Sequence, residues 1–238
     1  MSTPRVSEND PRLRVKDITY RGETGDVNAH FARPKGNAKL PGVVVIHENT
    51  GLVPHIRDVA RRVASEGFLA LAPDALSPLG GTPESLDDGR SMIQKLDTQS
   101  TIKNLVAAVK YLKTHPESTG NVGVVGFCWG GGMANQVAVN SPDLKAAVPF
   151  YGMQPATRDV PKIKSSLLLH YAGLDERINQ GIPAYEASLK KANIDYRMYM
   201  YKGSEHAFFN DTSQRYNEDA AKLAWERTVR FLKQKLET

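Results

Sequence analysis

The sequence predicts an α/β fold in which a mostly parallel central sheet is flanked by helices on both faces. Apolar runs of strand length alternate along the chain with amphipathic helical patterns, as in such sheets. The run at 42–48, GVVVIHE, is apolar on both faces, which is typical of a strand buried between two layers. No linker or composition shift divides the 238 residues, so we expect one domain over 13–238. Residues 1–12 are polar, contain two prolines and are expected to form a flexible tail.

The individual elements follow from periodicity and from the turn residues between them. Runs at 15–20 and 27–33 with glycines between them predict a hairpin at a sheet edge. Further strands are predicted at 42–48, 68–72, 122–127, 145–151, 166–171 and 196–201. Helices are predicted to span 56–63, 102–112, 129–140, about 183–191 and about 217–236, whereas 76–88 is predicted as a loop. Ligands of parallel sheets gather at the carboxyl ends of the strands, which is where a site is expected.

Composition excludes several classes of function. The 31 Lys and Arg against 26 Asp and Glu give a net charge of +5, and these residues are dispersed, so no nucleic-acid partner is expected. No apolar run approaches a membrane span and the N-terminus lacks a signal-peptide core. We therefore expect no membrane partner and a cytoplasmic location, unless a targeting segment has been removed. The six histidines show no ligand spacing such as H-x-x-x-H, so no metal is expected.

The only cysteine lies in a glycine-rich turn, VVGFCWGGGMA. Gly126, Cys128 and Gly130 form the pattern G-x-C-x-G between a predicted strand and a predicted helix. With serine in the centre, this pattern is the nucleophile elbow of α/β-hydrolases, in which a strained turn lifts the nucleophile above the sheet. The helix N-terminus behind it favours a thiolate and a developing oxyanion. The sequence therefore predicts that the bend presents the Cys128 thiol as a nucleophile.

Two other interpretations of this turn compete with a nucleophilic role. A free cysteine is often simply a buried apolar residue, and a single cysteine cannot form an intramolecular disulfide or a redox pair. A strand, a glycine turn and a helix also open dinucleotide-binding folds. However, G-x-G-x-x-G does not occur over 122–135, and the next strand ends in PFYG without an acidic residue for a ribose.

A nucleophile on such an elbow needs a base and an acid, which follow it along the chain in this fold. His206 lies between the last strand and the last helix, where the base is expected, whereas His170 lies inside an apolar strand and is interpreted as a core residue. Asp175 follows the strand that contains His170 and is the candidate acid. Glu176 is its rival, and Asp211 lies too close to His206 in sequence to be preferred.

A further acid, Glu48, ends the apolar run VVVIHE. At the carboxyl end of a strand it is a candidate site residue that accepts the thiol proton or tunes its ionisation. The alternative is that it caps a loop or pairs with Arg57. The backbone N–H groups of Trp129 and Asn49 are the candidate oxyanion donors.

These segments resemble the dienelactone hydrolase family of α/β-hydrolases. The resemblance is carried by VVVIHENTGL, ALAPD, VGVVGFCWGGGMA, AGLDERI and GSEHAFFND, and it covers roughly 12–236. It implies Cys128 as nucleophile, Asp175 and His206 as its partners, and Glu48 as the residue that helps to deprotonate the thiol when substrate binds. The family reaction is hydrolysis of dienelactone to maleylacetate through an acyl-enzyme.

The sequence departs from the family at the substrate end. The family clamps the substrate carboxylate with two arginines, of which one corresponds to Arg90 and the other falls at Asn210. Gln94 and Asp97 stand where aromatic pocket residues are expected. Arg90 and Phe208 are the candidate substrate-binding residues.

The expected function is hydrolysis of small esters or lactones by a Cys-His-Asp triad. The alternatives are a thioesterase or amidase with the same triad, and a non-catalytic binding protein of the same fold. No cofactor is expected because nucleophile, base and oxyanion donors are all protein groups. The expected partner is a small ester or lactone, and the expected state is a monomer, with a dimer as the alternative.

Overall fold

A single eight-stranded sheet forms the centre of the protein in the computed structural model, which describes residues 5–237. The strand order is β1-β2-β4-β3-β5-β6-β7-β8. The first two strands form the predicted antiparallel edge hairpin, β2 pairs antiparallel with β4, and all other pairs are parallel. The strands are β1 (Leu13–Arg21), β2 (Asp26–Pro34), β3 (Leu40–Ile46), β4 (Leu69–Pro73), β5 (Ser118–Phe127), β6 (Ala146–Phe150), β7 (Ser166–Ala172) and β8 (Tyr196–Tyr201).

Helices cover both faces of the sheet, as the two-sided apolar strands predicted. In β3, Val43 and Val45 belong to one core cluster, and Val44 and Ile46 belong to the cluster on the opposite face. Both faces are therefore closed to solvent, and the ends of the parallel strands are left for a site. The helices are α1 (Pro54–Ser65), α2 (Leu86–Ile93), α3 (Thr98–Thr114), α4 (Trp129–Asn140), α5 (Glu176–Asn179), α6 (Ile182–Lys191) and α7 (Glu218–Leu236). Within 5–237, no helix is long and apolar enough to cross a membrane.

The predicted loop at 76–88 contains helical structure, so this prediction was wrong in part. A 3-10 turn forms at Ser77–Leu79, and α2 begins at Leu86. The Ser85 side chain caps α2 by accepting a hydrogen bond from the Asp88 N–H. A serine followed by acidic residues is a helix-start signal, but α2 is short and carries a glycine, which weakened its periodic pattern.

Two residues of the predicted flexible tail, Arg5 and Val6, contact α1. The Arg5 and Val6 N–H groups donate to the Asp58 carboxylate at 3.2 and 2.8 Å. The Arg61 side chain donates to the Val6 carbonyl at 2.7 Å. Composition indicated a polar segment, but only the position of Asp58 on the folded helix decides that this segment is held. The part of the predicted tail at 1–4 lies outside the described residues.

Candidate active site

Cys128 lies on the turn between β5 and α4 and has a φ of 56°, in the region that residues other than glycine rarely occupy. Such a conformation costs about 1–3 kcal/mol and is kept only where the surroundings enforce it. The flanking glycines explain how the turn closes. A Cβ on Gly126 would lie 2.0 Å from the Gly130 carbonyl oxygen, and a Cβ on Gly130 would lie 2.3 Å from that of His47. Only glycine allows α4 to pack this closely against the end of β3.

His206 and Asp175 meet the thiol in space, although they are far from it along the chain. His206 Nε2 lies 3.0 Å from Cys128 Sγ, and His206 Nδ1 forms a short hydrogen bond with Asp175 Oδ2. Because the ionised carboxylate accepts only, it holds the proton on Nδ1 and leaves the Nε2 lone pair facing the thiol. Asp175 follows β7 and His206 follows β8, so the carboxyl ends of neighbouring parallel strands bring these side chains together.

The rival residues are engaged elsewhere. His170 is buried in β7, where Tyr201 and Thr228 occupy its two ring nitrogens at 2.9 and 3.1 Å. Burial lowers the pKa of His170 to about 3, with the nearby Arg227 charge acting in the same direction, so the imidazole stays neutral. Asp211 forms an ion pair with Arg62 of α1 at 2.7 Å, and its other carboxylate oxygen lies 3.1 Å from His55 Nδ1. His170 is thus the core residue that its apolar strand indicated.

Glu48 lies two residues beyond the end of β3 and is buried. Its Oε2 accepts a hydrogen bond from Asn210 Nδ2 at 2.6 Å, whereas Oε1 has no hydrogen-bond partner among the described residues. Burial raises the pKa of this carboxyl, and the charge of His55 and the Asn210 hydrogen bond act in the opposite direction. The alternative pairing with Arg57 does not form, because Arg57 binds Asp17 at 2.7 Å.

The ionisation of the thiol is controlled by opposing groups. Burial and, next, the charge of Glu48 raise the pKa of Cys128 to about 11. Hydrogen bonds from the backbone N–H groups of Trp129 and Asn49, together with the charge of Arg177, act in the opposite direction. The resting sulfur is therefore a protonated thiol at neutral pH. The same two N–H groups, placed at the sulfur, are where a carbonyl oxygen bound to Cys128 would find its donors.

A cavity of about 380 Å³ opens above the thiol. A larger, shallower depression of about 510 Å³ lies beside the β1–β2 edge, but Cys128, His206 and Asp175 do not line it. The smaller cavity is therefore the candidate site. Its wall includes Glu48, Asn49, Cys128, His206, Leu86 and Asn210, and three arginines, Arg90, Arg177 and Arg215.

The arginines make this cavity electropositive. Arg90 pairs with Asp87, whereas Arg177 and Arg215 form no ion pair with any carboxylate within 5–237. Both arginines are exposed, and exposed arginines are common on protein surfaces, so the sequence contained little indication that they line a site. Arg177 could have been noticed because it follows the candidate acid Asp175 by two residues on α5.

Phe208 does not line the cavity, which corrects its prediction as a substrate-binding residue. Its side chain is fully buried and packs against Tyr151 and Tyr201, with ring centroids 5.3 and 4.9 Å apart. The turn at Ala207, where φ is 69°, directs His206 to the cavity and Phe208 into the core. Arg90, in contrast, lines the cavity, and its role in substrate binding stays a prediction.

Comparison with known proteins agrees with this architecture. The model of the dienelactone hydrolase family matches residues 27–236. This chain belongs to the dienelactone hydrolase family. The family is a hydrolase family of the α/β-hydrolase fold, as the sequence resemblance predicted.

Relatives and solved structures of this family align over nearly their whole length. A protein of Saccharolobus solfataricus named "Putative carboxymethylenebutenolidase" is 34% identical, over 92% of this chain and 98% of its own. A Synechocystis protein of the same name is 29% identical, over 94% and 98%. The Klebsiella pneumoniae structure titled "Putative Dienelactone Hydrolase" superposes with a TM-score of 0.85 at 26% identity, covering 93% of this chain and 99% of its own.

Proposed function

We propose that this protein hydrolyses small esters or lactones through a Cys128 acyl-enzyme. The observation that carries the proposal is the continuous line from Asp175 through His206 to Cys128, with 3.0 Å between imidazole and sulfur. This line meets a cavity large enough for a small acyl donor at the carboxyl ends of the strands. The buried Phe208 has no part in the mechanism.

In the first half of the reaction the sulfur attacks the carbonyl carbon. His206 Nε2 takes the thiol proton while the Trp129 and Asn49 N–H groups donate to the oxygen as it becomes negative. The C–O bond to the leaving group then breaks, and His206 returns the proton to the leaving oxygen. The products of this half are an alcohol, or the opened end of a lactone, and an acyl group on Cys128.

In the second half a water molecule replaces the leaving group. His206 Nε2 takes a proton from the water as its oxygen attacks the thioester carbonyl, and the same two N–H groups donate to the oxyanion. The C–S bond breaks, the sulfur recovers the proton from His206, and the carboxylic acid leaves. Asp175 accepts the Nδ1–H of His206 throughout and stabilises the imidazolium in both halves.

Glu48 also takes part in the proposed reaction. The resting thiol is protonated because it is buried and lies near the Glu48 charge. Burial also raises the pKa of Glu48, and its Oε1 has no hydrogen-bond partner among the described residues. The Glu48 carboxylate lies close enough to His206 for their charges to interact. We therefore assign to Glu48 the task of helping His206 to deprotonate Cys128, because its negative charge stabilises the imidazolium that forms when Nε2 takes the thiol proton.

The charge of the cavity favours acyl donors that carry a carboxylate. Arg177 and Arg215 line the wall without an ionic partner of their own within 5–237, and Arg90 stands beside them. A guanidinium binds a carboxylate through parallel hydrogen bonds, which are stronger than those between neutral groups. Asn210 stands where the family has an arginine, and its side chain donates a hydrogen bond to Glu48. The anion-binding groups of this chain are therefore expected to be Arg177 and Arg215.

The triad is tested with Cys128→Ala and His206→Ala variants on p-nitrophenyl acetate and small lactones. Each variant should lose activity by about a thousandfold or more, because both chemical steps need the nucleophile and its base together. Exposed Lys202→Ala serves as the matched control and should keep wild-type turnover. Wild-type turnover in either triad variant would remove the mechanism. Faster turnover of thioesters or amides than of oxygen esters would instead show that the protein is a thioesterase or an amidase with the same catalytic residues.

The charge preference is tested by comparing p-nitrophenyl acetate with mono-p-nitrophenyl succinate. Loss of either Arg177 or Arg215, as Arg→Gln, should lower the preference for the charged ester in kcat/KM by about tenfold. Exposed Arg197 on β8 does not line the cavity, so Arg197→Gln is the control. If the wild type and the three variants showed the same preference for the charged ester, these arginines would not bind the substrate carboxylate.

A further inference from the structure

His47 is a fully buried histidine beside the site, and the mechanism above does not use it. It follows β3 directly and precedes Glu48. His47 Nδ1 lies 2.6 Å from the Glu48 carbonyl oxygen, and the Ala75 N–H donates to His47 Nε2 at 3.1 Å. Because the Ala75 N–H can only donate, Nε2 must accept, and the ring proton must be on Nδ1. The side chain therefore donates to the Glu48 carbonyl.

That carbonyl belongs to the same peptide unit as one of the proposed oxyanion donors. The Glu48 C=O and the Asn49 N–H lie in one plane and point in opposite directions, as in any trans peptide. Anchoring the oxygen therefore fixes the direction of the N–H, which hydrogen-bonds the Cys128 sulfur. Donation to the oxygen also polarises the peptide, which makes its N–H a stronger donor.

The His47 ring also contacts the other half of the oxyanion hole. It stacks on the Trp129 indole, with centroids 5.3 Å apart and planes 16° apart. The His47 carbonyl oxygen is the atom that a Cβ on Gly130 would meet at 2.3 Å, so the backbone of this residue touches the first turn of α4. One residue thus joins the end of β3, the loop after β4 and the start of α4.

We propose that His47 is a positioning residue that orients the Glu48–Asn49 peptide as an oxyanion donor. The inference rests on the proposed function, because it concerns the transition state of that reaction. Burial lowers the pKa of His47, although the Glu48 carbonyl and the Asp74 charge act in the opposite direction. The neutral ring with its proton on Nδ1 is the form that the two hydrogen bonds require.

Two substitutions separate this role from a merely structural one. The amide nitrogen of asparagine occupies the place of Nδ1, so His47→Asn keeps a donor for the Glu48 carbonyl and loses the Ala75 contact. The longer His47→Gln places its amide near Nε2, where it accepts from Ala75 but leaves the Glu48 carbonyl unbound. Both variants lose the ring stack on Trp129, so the stack cancels in the comparison.

The kinetics are measured on p-nitrophenyl acetate as the Cys128-dependent turnover. His47→Gln should lower kcat by about 10- to 100-fold with little change in KM, because the donor that it misdirects stabilises the oxyanion of the transition state and not the bound substrate. His47→Asn should stay several-fold closer to the wild type. Thermal unfolding of each variant reports the structural contribution separately. Equal kcat in the two variants, or a lower kcat in His47→Asn, would overturn the inference.

The wild-type protein supplies a second measurement that needs no variant. The ring ¹⁵N chemical shifts of His47 in histidine-labelled protein should show a neutral ring protonated on Nδ1 between pH 6 and 8. A ring protonated on Nε2, or a charged ring, could not serve as proposed and would overturn the inference. If Cys128→Ala keeps wild-type turnover, the proposed function fails; if turnover depends on Cys128 but not on the residue at 47, only this inference fails.

Discussion

Substitution of Gly130 by alanine should disable the site because the added methyl group has no space. The new Cβ would lie 2.3 Å from the His47 carbonyl oxygen and 2.6 Å from that of Ile46. An ordinary carbon–oxygen contact needs more than about 3 Å, so the first turn of α4 must retreat from β3 by roughly 1 Å. That movement separates the Trp129 N–H from the Asn49 N–H and displaces the thiol from His206.

The expected cost follows from that displacement. A misplacement of about 1 Å at reacting groups costs on the order of 100-fold in rate, and overpacking of this kind costs about 1–3 kcal/mol of stability. The assays are kcat on p-nitrophenyl acetate and the midpoint of thermal unfolding. For a chain of this length, the stability loss corresponds to a fall of about 2–12 °C in Tm.

The same helix provides a matched control. A Cβ on Gly132 would find its nearest neighbour, the Met153 backbone nitrogen, at 3.5 Å, which is an ordinary contact. Gly132→Ala should keep kcat and should gain up to about 1 kcal/mol, because alanine favours a helix over glycine. If Gly130→Ala kept wild-type kcat and Tm, or if Gly132→Ala were equally damaging, the packing argument for the elbow would be wrong.

Three further predictions concern ionisable groups. Glu48→Gln removes the negative charge beside Cys128, so the pKa of the thiol should fall below about 11, and iodoacetamide should alkylate it several-fold faster at pH 8; an unchanged pH profile would contradict this. Burial holds the pKa of His170 at about 3, so the unfolded state binds more protons below pH 6.5, and the free energy of unfolding should fall by about 3 kcal/mol between pH 7 and pH 4. Urea titrations of wild type and His170→Asn measure this term, and an equal pH dependence in both proteins would refute it. Asp58→Ala leaves the buried Arg62 guanidinium with only part of its ionic network and should destabilise the protein by about 3 kcal/mol, with exposed Asp87→Ala as the control that changes little in urea unfolding.

The sequence was sufficient to predict those helices and strands whose residues follow the periodicity of the element. The predicted helix over 129–140 matches α4, and the predicted strand over 196–201 matches β8. The elbow could be recognised because its glycines, cysteine and flanking elements are neighbours in sequence. The acid and the histidine could be ordered along the chain because parallel strands deliver their carboxyl ends to one edge of the sheet.

Other features depended on residues that meet only in the folded chain. Phe208 and His206 share one short segment, and the turn between them decides which side chain enters the cavity. Little in the sequence distinguishes Arg177 and Arg215 from other arginines, and only the folded structure places both at the wall of the cavity.

The sequence alone therefore determined the fold class, the strained turn at Cys128 and the candidates for its partners, because these depend on residue type and on spacing along one segment. The tertiary structure alone decided the hydrogen bonds of His47, the Asn210 contact of Glu48 and the attachment of the N-terminal segment. These depend on distances between separate segments, which are set by how the helices pack on the sheet. Periodicity reports which face of an element is buried, but not which atoms of another element meet it there.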